Sequence, residues 1–75
     1  MKKLYVRHTR IGPFYIVESA GNFHVFYQDD ALGIYPSADS ALADVVGGHT
    51  FSIAGGIDTA TLGIPERLNE WSRLL

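Results

Sequence analysis

Phe14-Tyr15-Ile16-Val17-Glu18-Ser19-Ala20-Gly21-Asn22-Phe23-His24-Val25-Phe26-Tyr27-Gln28 is the stretch that decides the fold. Its two arms, Phe14 to Ser19 and Phe23 to Gln28, are aromatic and β-branched, and Ala20-Gly21-Asn22 between them supplies turn chemistry. The segment reads as a β-hairpin. A two-residue Gly21-Asn22 turn would set Val17 opposite Phe26 and Ile16 opposite Tyr27, whereas a three-residue turn would pair Val17 with Val25, and the sequence leaves the register open. In the two-residue register one face carries Phe14, Ile16, Phe23, Val25 and Tyr27. The other carries Tyr15, Val17 and Phe26 beside Ser19, His24 and Gln28, so both faces want cover.

Upstream, Lys3 to Thr9 alternates with the period of a half-buried strand, Leu4 and Val6 on one side and Lys3, Tyr5 and Arg7 on the other. Gly12-Pro13 breaks it. Downstream, Asp29-Asp30 reads as the next turn and Ala31 to Tyr35 as a further strand, in which Gly33 permits a bulge or a close backbone approach. Ser37 has the chemistry of a helix N-cap, with Asp39 in the first turn and Ala38, Ala41, Leu42, Val45 and Val46 at helical spacing. Gly47-Gly48 ends that helix. His49 to Ala54 admits an extended reading within an otherwise irregular stretch to Gly63, where Asp58 before Thr59 reads as the cap of a short turn. Pro65 suits a helix's first turn, and Ile64, Leu68, Trp71 and Leu75 fall near one face, which predicts a short amphipathic C-terminal helix. The expected architecture is one α+β domain over residues 1–75. It has a small antiparallel sheet of three or four strands, a central helix and a short C-terminal helix.

Composition agrees with a folded chain: 75 residues, 47% hydrophobic and 19% charged, suffice for one core. The sequence has no Cys, so neither a disulfide nor a thiolate metal site staples it. No apolar run is long enough to span a bilayer, and Met1-Lys2-Lys3 is followed by Arg7, His8 and Arg10 instead of a signal-peptide apolar region, which points to a cytoplasmic protein.

The aromatic hairpin, Gly33-Ile34-Tyr35 with Ser37 opening a helix, His49-Thr50-Phe51, Gly56-Ile57-Asp58-Thr59, and Leu62-Gly63-Ile64-Pro65 with Leu68 and Trp71 together resemble a family of small bacterial proteins with no assigned activity. The likeness covers about residues 14–71. It implies an independent small domain, and no functional residues carry over from it.

Motifs for chemistry are weak. His8, His24 and His49 lack ligand spacing, and no carboxylate or thiol completes a metal set, so no metal is expected. Ser19, Ser37, Ser40, Ser52 and Ser72 sit in no nucleophile elbow. Gly47-Gly48 and Gly55-Gly56 lead into neither a phosphate-loop lysine nor a dinucleotide fingerprint, so no cofactor is expected. The reading is therefore a non-catalytic interaction protein, with another protein or a second copy as partner. Tyr15, Val17, Phe26 and Trp71 are the candidate interface residues, because aromatic anchors dominate many interfaces. The alternative is weak nucleic-acid binding through the basic N-terminal strand, with Lys3, Arg7 and Arg10 on phosphates and Tyr5 or Tyr15 stacking on a base. The first acidic residue is Glu18, and the acidic remainder of the chain opposes that alternative.

Overall fold

Three hairpin turns and the alternation around them generate a meander. In the computed structural model, which describes residues 2–48 and 58–74, strands β1 (Lys2–Thr9), β2 (Gly12–Ser19), β3 (Asn22–Tyr27) and β4 (Asp30–Tyr35) are followed by helix α1 (Ala38–Gly47). Short 3-10 turns at Thr59–Thr61 and Leu68–Glu70 then lead to a two-residue strand β5 (Ser72–Arg73). The sheet is antiparallel in the order β4-β3-β2-β1-β5. The α+β class holds, and the sheet has five strands where three or four were expected.

The central hairpin closes through Ala20-Gly21, one residue earlier than the Gly21-Asn22 alternative and in neither of the two registers left open by the sequence, with Ser19 opposite Asn22 and Val17 opposite His24. Ala20 and Gly21 both have positive φ, 53° and 81°, as a type I′ turn requires to match the twist of the strands it joins. The earlier turn moves each partner by two positions. Side chains alternate with a period of two, so the division between faces survives the change: Phe14, Ile16 and Val25 are buried beneath α1 while Tyr15, Val17 and Phe26 lie on the opposite face.

Two bulges alter the outer strands. Between Lys3 and Tyr5 the pairing with β2 slips by one, leaving Leu4 as the extra residue. Lys3 thereby pairs with Val17 and joins the face of Val6, contrary to the simple alternation read from the sequence. In β4 the extra residue is Leu32, beside Gly33, and it is buried in the helix-side core.

Helix α1 begins as its sequence dictates: the Ser40 N–H donates to the Ser37 side-chain oxygen at 3.1 Å, meeting one of the donors that the first turn leaves free. It ends at Gly48, whose φ of 74° is left-handed and whose N–H donates to the Asp44 carbonyl. Ala41, Leu42 and Val45 pack into a core with Phe14, Ile16, Val25, Leu32, Ile64 and Trp71.

The expected C-terminal helix is not formed. Arg67 opens only a single 3-10 turn and makes no side-chain cap. Trp71 is 4% exposed, and beyond it the chain extends: Tyr5 pairs with Arg73, Val6 with Ser72, and the Leu74 N–H donates to the Leu4 carbonyl at 2.9 Å. The outer edge of β1 offers unpaired backbone groups that a strand satisfies and a helix would not. The possible strand at His49 to Ala54 lies outside the described residues.

Candidate functional site

With α1 and the C-terminal segment on one side, the other side of the sheet has no covering element among the described residues. Cross-strand pairing arranges it in rows. Lys3, Val17, His24 and Ile34 form one; Val6, Tyr15, Phe26 and Ala31 the next; His8 and Pro13 a third, with Gln28 and Asp29 beyond at the β3–β4 turn. Gln28 has a positive φ of 54°, which lets that turn close in two residues between Tyr27 and Asp30.

Val6 and Val17 are buried even here, Val17 at 1% exposure. Their cover comes from longer neighbours on the same face. Tyr15 and Phe26 stand directly opposite each other, the Lys3 ammonium lies 4.5 Å from the centre of the Tyr15 ring, and the His24 ring is 6.2 Å from that of Phe26. Lys3, Tyr15, Val17, Phe26, Gln28 and Asp29 line a groove of about 190 Å³. Ile34, at 63% exposure, extends the apolar surface to the β4 edge.

Formal charge is sparse on the open face. By register Lys2, Arg7, Arg73, Glu18 and Asp30 fall on the helix side, while the strand rows of the open face hold Lys3, His8 and His24 and no carboxylate. Among the described residues Asp29 is the single acidic one lining the open groove. A second groove, about 380 Å³, runs beside α1 between Asp39, Leu42, Ala43, Val46, Gly47 and Glu66. Among the described residues no group of three or more His, Asp or Glu is placed to hold a metal ion, and no helix is long and apolar enough to cross a membrane.

Tyr15, Val17 and Phe26 are brought together on the open face. Trp71 is not with them: it is buried in the helix-side core, its indole N–H directed at the Pro65 carbonyl 3.4 Å away. The basic residues proposed for phosphates are dispersed. Lys3 is on the open face, Arg7 pairs across from Phe14 on the helix side and donates to the Glu70 carbonyl at 3.3 Å, and Arg10 sits exposed in the β1–β2 turn. Tyr5 and Tyr15 likewise lie on opposite faces.

No family model, curated protein or solved structure matches the chain.

Other polar residues have structural work to do. Ser37 caps α1 and donates its hydroxyl to the Ser40 oxygen, and the Asp58 carboxylate accepts the Ala60 N–H at 2.9 Å, as its position before Thr59 suggested. The Tyr27 hydroxyl donates to the Ile11 carbonyl at 2.7 Å and ties the β1–β2 turn to β3. His49, Ser52 and Gly55-Gly56 lie outside the described residues. Sequence reasoning missed Asp29 and Ile34 as parts of the open face. Asp29 read simply as turn chemistry, and it is the bulge at Leu32 that shifts Ile34 onto the open face beside His24, where plain alternation from Ala31 would have put it on the helix side.

Proposed function

We propose that the chain is a non-catalytic interaction module that docks another protein surface on the open face of its sheet. The observation that carries this reading is the pair Tyr15–Phe26, set side by side over buried Val17 with no element of the described fold across them. A sheet face rich in aromatic area, flanked by polar groups, is the composition of an interface core and its rim. The nucleic-acid alternative is weaker, because Arg7 is on the far side of the sheet from Lys3 and Tyr15.

A photoreactive benzophenone side chain at position 26, compared with the same group at position 66 on the helix side, tests the reading. Irradiation in native lysate should give discrete protein adducts, self-adducts included, at 26 and not at 66. Nucleic-acid adducts at 26, or none there while 66 reacts, would overturn it.

A further inference from the structure

We infer that the occupant of the open face is a second copy of this chain, packed face to face about a two-fold axis, with the Lys3 of each copy against the Asp29 of the other. This rests on the interaction-module reading above and specifies its partner.

A two-fold interface must be self-complementary, because each patch meets its own image. An aromatic centre satisfies that at once: Tyr15 and Phe26 can pack on Tyr15 and Phe26. Charges satisfy it only when opposite signs occupy positions that the axis exchanges. Lys3 and Asp29 line the same groove, Lys3 on β1 in the row of Val17 and Asp29 in the turn after β3, beyond the rows of Tyr15 and Pro13. They therefore stand at diagonal corners. An in-plane axis perpendicular to that diagonal brings each lysine over the partner's carboxylate, so the contact is made twice, once at each end. The contact between Lys3 and the Tyr15 ring already holds the ammonium over the face.

The same geometry fixes the packing angle. Lys3 and Asp29 are separated by about 13 Å along the strands and about 12 Å across them, taking ordinary strand rise and spacing. The diagonal thus runs about 45° from the strand direction, and so does the axis. Rotation about it turns the strands through about 90°, which is one of the two preferred angles at which sheets stack. The alternative exchange, with Lys3 over Lys3, would oppose like charges across a desolvated seam. The face is four strands wide and at the small end of stable interfaces, so the dimer should be of micromolar strength.

Light scattering after size-exclusion chromatography, with charge exchange, tests the inference. Both positions are exposed, so the variants should keep the native circular dichroism. Wild type should give a concentration-dependent mass approaching twice the monomer. Lys3→Asp and Asp29→Lys should each weaken dimerisation roughly tenfold, since each turns two attractive contacts into repulsions. Mixing the two variants should restore association as a heterodimer, because every cross-contact is then of opposite sign. The double variant should dimerise with itself. A strictly monomeric wild type at high micromolar concentration overturns the inference, and so does a dimer indifferent to both exchanges. In either case a protein adduct at position 26, self-adducts included, would leave the interaction-module reading standing, and its absence would remove both.

Discussion

Tyr35 folds back over Gly33, whose missing side chain leaves the space that the phenol ring occupies; a Cβ there would collide with the end of that ring. Burial, then the charge of Asp44, then a hydrogen bond to its carboxylate raise the Tyr35 pKa from 10.0 to about 12. The folded state therefore holds a proton that the unfolded chain gives up at lower pH. Stability from this group is complete below pH 10 and declines as pH rises from 10 toward about 12. Ultraviolet titration should show one phenol ionising near 12 that disappears in Tyr35→Phe. In Gly33→Ala that phenol should titrate lower, because the ring is pushed from its place beside Asp44. A titration unchanged by either substitution would refute the assignment. Gly48 bears a different constraint, a left-handed φ of 74° with the Asp58 carboxylate close by. Gly48→Ala should cost more than the roughly 1–2 kcal/mol of left-handed strain alone, whereas Gly21→Ala, with open space around it, should cost about that strain and no more, as urea denaturation would show.

Elements differ in how plainly their residues announce them. Strands β2 and β3 were legible as a hairpin but their register was not: the Ala20-Gly21 turn keeps the faces of the two-residue Gly21-Asn22 alternative, whereas the three-residue alternative would have exchanged the faces of one arm. Helix α1 was legible from Ser37 to Gly48 because both caps are chemical requirements of the backbone ends. The bulge at Leu4 was not legible, and it alone moves Lys3 onto the open face. The C-terminal helix was misjudged for a related reason. Ile64 and Trp71 recur at helical spacing, yet two anchors in one core can be joined by irregular chain, and the competing claim of the β1 edge is a tertiary fact. Trp71, named as an interface candidate for its aromatic area, stands in the helix-side core. Its burial predicts that Trp71→Ala costs about 3–5 kcal/mol, while Tyr15→Ala on the open face costs below about 1 kcal/mol. Comparable losses for the two in denaturant titrations would contradict their assignment to different sides of the sheet.

For the molecule as a whole, the separation of charge between faces matters more than the net value of −2. By register Lys2, Arg7 and Arg73 fall on the helix side together with Glu18 and Asp30, and Lys3 is the one Lys or Arg in the strand rows of the open face, so Arg7 and Lys3 do not share a surface on which one phosphate backbone could run. Short single-stranded or duplex nucleic acid should accordingly bind weakly at physiological salt in fluorescence anisotropy. Sub-micromolar affinity that falls steeply with salt and is lost when Lys3, Arg7 and Arg10 are together replaced by alanine would reverse that judgement.

The sheet order has a consequence for how the chain acquires its structure during synthesis. Strands β1 to β4 each pair with their neighbour in sequence, so the meander can zip up as it leaves the ribosome, each hairpin closing over a short loop. The pairing of Tyr5 with Arg73 is the opposite case, joining segments far apart in the sequence. Until Trp71 arrives, the core beneath Phe14 and Ile16 lacks one of its largest members. Nascent chains arrested before Trp71 should therefore be cut by protease within the sheet, and extending them past Leu74 should confer resistance in a single step.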